Sequence, residues 1–353
     1  MTVNHVPTMA TNLGLQTNKN TALTLATARL QATDPEQDSS SLTYSVTAGP
    51  GHGTLNRSTF TQWDIDYGQV TYTPASNYTG PDSFSFSLSD GQPAPGEGKL
   101  NSSAAIIVND MPTFVGATTT LTINQNAGAT DIKGLLHVSD SDSSQTETWT
   151  VSSLPGHATL AGLPATACSG SADITPGGTI TYTPTAGYAG SDSFTIQVSD
   201  GTATATRTIT VSVVPSASTA TAASSITTTG FNANWGGVAG ATTYKLDVAT
   251  DSGFTNFVGS YNNLDVTNVT STVVSGLTAG TTYYSRVRAA NSSGSGTNSN
   301  TLTTLTLPGT STATVATSVT ATGFTANWGN VTGATTYKLD VATDSGFTNF
   351  VSG

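Results

Sequence analysis

The chain has 353 residues, a formal net charge of −11 and only 9% charged residues, against about 25% in an ordinary soluble protein. Scarce Leu, Glu and Lys beside abundant Thr, Val and Tyr exclude a helical bundle. Ten Lys and Arg in all exclude strong binding to nucleic acid or to anionic membrane, both of which need basic side chains.

The length is that of roughly two to three domains. The longest aliphatic run, Ala104 to Val108, is far below the about 20 residues of a membrane span. A lone cysteine, Cys168, excludes an internal disulfide and is expected in a core or a loop. Met1 to Thr8 has no basic-then-apolar signal pattern; Met1 is read as the start of a gene fragment. Residues 1–214 hold 16 of the 21 acidic and 6 of the 10 basic residues, a net of −10, and residues 215–353 a net of −1. Such acidity serves solubility or cations.

In chain order, two divergent units come first. Tyr72-Thr73-Pro74, Tyr78, Asp82-Ser83-Phe84 and Ser89-Asp90-Gly91 recur as Tyr182-Thr183-Pro184, Tyr188, Asp192-Ser193-Phe194 and Ser199-Asp200-Gly201. Pro50-Gly51-His52 recurs as Pro155-Gly156-His157. Units of about 1–108 and 109–214 follow. A second pair is nearly identical: Ala241 to Val258 returns as Ala334 to Val351, and Phe231 and Trp235 as Phe324 and Trp328. This makes a module over 215–307 and a truncated copy over 308–353, and the natural protein is expected to continue past it. Half a sandwich is expected to be frayed or partner-stabilised. Phe84 to Leu88, Phe194 to Val198, Tyr244 to Val248 and Tyr284 to Ala289 alternate apolar and polar, as half-buried strands do. About seven such strands in roughly 100 residues predict β-sandwiches. The short linkers at Asn109–Thr113, Val214–Ser218 and Leu307–Thr312 favour a rod. The fold class is all-β: tandem immunoglobulin-like β-sandwiches arranged as a rod.

Residues 215–307 resemble a fibronectin type III domain: Phe231 and Trp235 on an early strand, Tyr244 on the next, then Leu277 with Tyr283 six residues on. The resemblance makes Tyr283 the tyrosine corner and Trp235 and Trp328 core residues. The integrin-binding Arg-Gly-Asp tripeptide is absent, so that function does not transfer.

Residues 4–214 resemble bacterial cadherin-like tandem repeats. The residues that carry this are Asp34-Pro35-Glu36 and Asp140-Ser141-Asp142, similar to an Asp-x-Asp segment, the linker Asn109-Asp110-Met111-Pro112, and Asp90 and Asp200 closing a late strand. The chain departs from the family in lacking a Leu-Asp-Arg-Glu segment, for which Asp82 and Asp192 are partial stand-ins. The resemblance implies calcium. Ca²⁺ takes six to eight oxygen ligands, and Asp140 and Asp142 point the same way from an extended segment. With cadherin topology, Asp200, Asp110 and Asn109 join them at the 109–113 junction, where four carboxylates would repel each other without a cation. Ordinary solvated turn acids are the alternative. The N-terminal end has Asp34, Glu36, Asp90 and Asn4 but His5 in place of Asp, a weaker set.

Other motifs carry less. Asp64 and Asp66, a carboxylate pair of the glycosidase type, are expected as solvated acids on a strand edge in Trp63–Tyr67. His52 and His157 are expected as turn residues, and Leu307 to Ser311 as a linker rather than an anchoring signal. No catalytic constellation is present.

The reading is a non-catalytic fragment of a bacterial surface or secreted adhesin-like protein, extracellular or at the cell surface, acting as a calcium-stiffened spacer. The alternatives are an accessory region of a secreted polysaccharide-degrading enzyme and a self-assembling filament subunit. Expected partners are neighbouring domains outside this chain, a host-surface protein or glycan, and other copies of itself, with no nucleic acid and no membrane insertion.

Overall fold

A computed structural model describes residues 4–92 and 99–352, and among these nearly all regular structure is β. Met1 to Val3 lie outside the described residues. The chain divides into two compact units: Met1–Thr119 with Ala129–Thr183 and Ser193–Ile209, and Thr120–Gly128 with Pro184–Asp192 and Thr210–Gly353.

The first sandwich is built from β1 (Thr8–Asn12), β2 (Leu15–Asn18), β3 (Leu23–Thr24), β4 (Leu30–Thr33), β5 (Thr43–Ala48), β6 (Gly53–Leu55), β7 (Thr59–Thr61), α1 (Gln62–Asp66), β8 (Thr71–Pro74), β9 (Gly80–Ser89) and β10 (Lys99–Asn109). Its main sheet has the order β2-β10-β9-β5-β7, faced by β3-β8-β6, with β1 on β4. β10 runs antiparallel to β9 and parallel to β2. Period two explains β9: Phe84, Phe86 and Leu88 are buried while Ser83, Ser85 and Ser87 face outward or lie half-buried. The same inward stripe ends in an acid on each side, Asp82 and Asp90, both buried.

Trp63–Tyr67 is not a strand edge. It lies on α1 and its C-cap. Thr61 caps the helix, accepting from the Asp64 N–H at 3.1 Å, and the Asp64 carboxylate accepts from the Thr61 N–H at 2.8 Å. Asp64 also pairs with Arg57 at 3.2 Å, and Asp66 accepts from Thr27 and Gln62. These acids are spent on local structure. Buried Gln62 ties the helix down, its Oε1 accepting from the Tyr44 hydroxyl at 2.7 Å and the Ala32 N–H at 2.8 Å.

The second module comprises β11 (Thr113–Phe114), β12 (Thr120–Asn124), β13 (Thr130–Asp131), β14 (Val138–Asp140), β15 (Thr146–Ser153), β16 (Ala158–Ala161), β17 (Ala165–Cys168), β18 (Ser171–Ile174), β19 (Thr181–Pro184), β20 (Gly190–Ser199) and β21 (Thr204–Val214). In the first unit β15 lies between β17 and β20, β14 lies between β11 and β18, and β19 lies between β13 and β16. Cys168, expected in a core or loop, ends β17 and is exposed, because the alternation that buries Ala165 turns Thr166 and Cys168 outward.

In the second unit β12 pairs in parallel with the end of β21. The third module follows: β22 (Ala220–Ser224), β23 (Gly230–Trp235), β24 (Thr243–Ala249), β25 (Leu264–Asp265), β26 (Ser271–Ser275), β27 (Thr282–Asn291), β28 (Gly294–Ser295) and β29 (Leu302–Leu305). A sheet β22-β23-β26 faces one in which β24 and β29 flank β27. Phe231, Trp235, Tyr244, Leu246, Tyr283 and Val287 form the core between them. The Tyr283 hydroxyl accepts from the Thr278 N–H at 2.9 Å, the tyrosine corner expected from sequence. Past residue 308 stand β30 (Ala313–Thr317) and β31 (Thr325–Trp328), which among the described residues pair only with each other. Trp328, expected in a core, is 40% exposed, because no second sheet covers it.

Candidate functional site

The acidic residues of the second module meet where strand ends converge. β10 ends in Asn109 and passes into Asp110; β14 ends in Asp140 and passes into Asp142; Asp200 follows β20. All belong to the first unit. Asn109 is wholly buried and central. Its Nδ2 donates to the Asp200 carboxylate at 2.8 Å and to the Asp110 carbonyl at 2.6 Å, and its Oδ1 accepts from Gln145 at 2.7 Å. The Asp110 N–H donates to Asp142 at 2.7 Å. The Asp110 carboxylate accepts from the Ser141 hydroxyl at 2.6 Å and pairs with the Lys19 ammonium. The Asp142 N–H donates to Asp140 at 2.8 Å. All five residues expected at the 109–113 junction are thus brought together.

Sequence reasoning missed a sixth. Glu147 lies on β15, two residues before buried Trp149, and so faces inward with it. It is 0% exposed, as is Asp140. Among the described residues no N–H or hydroxyl group donates to either Glu147 carboxylate oxygen, to Asp140 Oδ2 or to Gln145 Oε1, although all are buried. Unpaired buried carboxylate oxygens are costly.

The charges respond accordingly. Burial pushes the Asp140 and Glu147 carboxyls up from their ordinary values, and for Glu147 the neighbouring Asp140 charge adds to this. Asp142 is also raised by burial, with the Asp110 and Asp200 charges adding to the rise. Burial would raise Asp110 too, but Lys19 and Ser141 outweigh it and hold that carboxyl below its usual value. One ammonium thus faces five carboxylates. The carboxylates are neighbours without being focused on one point: among the described residues no three His, Cys, Asp or Glu side chains gather as a formed metal centre. The oxygen-only donor set and the buried oxygens without donors are of the chemical type that a hard cation such as calcium takes.

The N-terminal end repeats part of this frame. Asn4 donates to Asp90 at 2.8 Å, the His5 N–H to Glu36 at 3.2 Å, and the Glu36 N–H to Asp34 at 2.8 Å. Asp34 Oδ2 is buried and unpaired. His5 Nδ1 lies 2.6 Å from Glu36, so a ring occupies the place where the junction has a carboxylate. Asp82 lies at the start of β9, opposite Ile106 near the junction end of β10, and its carboxylate accepts from the Gly51 and His52 N–H groups.

Comparison with known families agrees with these modules. Residues 7–102 match a Cadherin-like model, residues 109–212 a bacterial Ig domain and residues 215–305 a fibronectin type III domain. The second module, expected as another cadherin-like repeat, therefore matches a bacterial Ig description. Among curated proteins, the extracellular matrix organizing protein FRAS1 of Homo sapiens is 31% identical over 90 residues, 23% of this chain and 2% of that protein's length. Among solved structures, a titin I-band fragment aligns with a TM-score of 0.39 at 10% identity, covering 86% of this chain and 98% of that one. A chicken CNTN1 fragment aligns with a TM-score of 0.30 at 13% identity, covering 87% and 100%. The chain is a tandem of cadherin-like, bacterial Ig and fibronectin type III domains.

Proposed function

We propose that the chain is a non-catalytic extracellular spacer of an adhesin-like protein, and that calcium binds at the 109–113 junction and stiffens it. The observation that carries this is the set of buried oxygens on Asp140 and Glu147 that no N–H or hydroxyl donor meets among the described residues, beside the linker residues Asn109 and Asp110. Asn109, Asp110, Asp140, Asp142 and Asp200 would hold the ion, which supplies positive charge that removes the repulsion among the carboxylates. Because Asn109 and Asp110 belong to the linker and the others to the second module, one ion would tie both and restrict bending between them.

Thermal unfolding of the whole chain in millimolar calcium and in chelator tests this, beside the Asp140→Ala/Asp142→Ala double mutant. A calcium-dependent rise in Tm that the double mutant loses supports the reading. No shift in the parent chain makes the acids a solubility device and the modules passive spacers. Binding to immobilised glycans would instead favour an enzyme-accessory role, and concentration-dependent fibres a filament.

A further inference from the structure

We infer that Glu147 is itself a calcium ligand and that it makes the 109–113 junction a stronger cation site than the N-terminal end. This rests on the calcium reading of the junction. Strand register supplies the comparison. Tyr44 on β5 lies opposite Leu88, and Trp149 on β15 opposite Val198. Leu88 and Val198 occupy equivalent places, each followed by Ser-Asp-Gly. Tyr44 and Trp149 are therefore equivalent, and two residues earlier so are Leu42 and Glu147.

The rest of the frame is held in common. Asn4 matches Asn109, Asp34 matches Asp140, Glu36 matches Asp142 and Asp90 matches Asp200, and three hydrogen bonds recur between the same places. Two positions differ. His5 stands for Asp110, and Leu42 stands for Glu147. Leu42, 2% exposed, is an ordinary core residue that completes the apolar stripe. Glu147 puts a carboxyl group in that apolar position, with no N–H or hydroxyl donor on either oxygen among the described residues and the Asp140 carboxyl beside it. The Lys19 ammonium sits on Asp110. A buried carboxylate without a partner destabilises a fold unless it takes a proton or a cation. Six oxygen-bearing side chains around the junction suit the high coordination number of Ca²⁺ better than Mg²⁺, which keeps much of its water, and the absence of Cys and His disfavours zinc.

The test uses the whole chain with Glu147→Leu, the residue of the first module, and Glu147→Gln, which keeps the shape. Calcium affinity is measured by titration calorimetry, and Tm in calcium and in chelator. The inference expects calcium affinity at least tenfold weaker in both variants, and Glu147→Leu more stable than the parent in chelator, because an apolar side chain then fills an apolar site. Parent-like affinity in the two variants overturns it, while leaving the junction reading intact if Asp140→Ala/Asp142→Ala abolishes binding. A folded Glu147→Gln with full affinity also overturns it and makes Glu147 a proton-sharing partner of Asp140. No calcium binding by the parent chain overturns both readings together.

Discussion

The Tyr72 hydroxyl donates a 2.8 Å hydrogen bond to the Asp82 carboxylate, which also accepts from the Gly51 and His52 N–H groups. One acid at the start of β9 thus closes a turn and satisfies a buried phenol. Burial would raise the Asp82 carboxyl, but these hydrogen bonds outweigh it and hold it below its ordinary value. A carboxyl whose folded value is depressed contributes stability above its unfolded value, near pH 3.9, and loses it as pH falls through the folded value. Tyr72→Phe is expected to cost about 1.5–3 kcal/mol at neutral pH. Urea unfolding at neutral pH and at about pH 2 checks this: the difference between parent and variant shrinks in acid.

In the third module the Tyr283 hydroxyl caps the Thr278 N–H at 2.9 Å. Tyr283→Phe keeps the ring in the core but leaves that amide without its partner, a loss of about 1–3 kcal/mol. Unfolding of the third module, followed by hydrogen exchange in β23, β24 and β27, is expected at lower urea in the variant.

Gly280 has φ +62°, and a Cβ there would collide with the Thr332 carbonyl. Gly280→Ala therefore meets both the left-handed backbone cost, about 1 kcal/mol, and a clash. The expected outcome is faster hydrogen exchange in β27, which begins two residues after Gly280, with the first module unchanged.

Residues 313–351 hold one two-stranded sheet and leave Val315, Leu339, Phe347 and Phe350 more than half exposed. An isolated strand pair is marginal in water. Hydrogen exchange there is expected to be rapid, against strong protection of β23, β24 and β27. Full protection of 313–351 in a monomer would contradict this.

The strands and their inward faces were legible because alternation is local: Phe84, Phe86 and Leu88 announce β9, and Phe194, Ile196 and Val198 announce β20. The junction acids were legible through their spacing in two related units. Glu147 was not, since a Glu among Thr residues reads as a solvated acid; its place two residues before Trp149 was the available signal. Trp63, Ile65 and Tyr67 suggested a strand by the same alternation, and there the stronger signal was Thr61 three residues before Asp64, the mark of a helix start.

The repeat sets the limit of local reasoning. Ala241 to Val258 and Ala334 to Val351 are identical in sequence. In the first copy Tyr244 and Leu246 lie on β24, each 1% exposed. In the second, Tyr337 is 38% and Leu339 57% exposed, and neither lies in a strand. Composition and periodicity decide which residues are able to form a sandwich strand and which face it would bury. Whether the strand forms depends on a partner remote in sequence, here β27 beside β24. A strand's hydrogen bonds and buried area come from its neighbours, so pairing, burial and the raised Glu147 carboxyl are properties of the assembled fold.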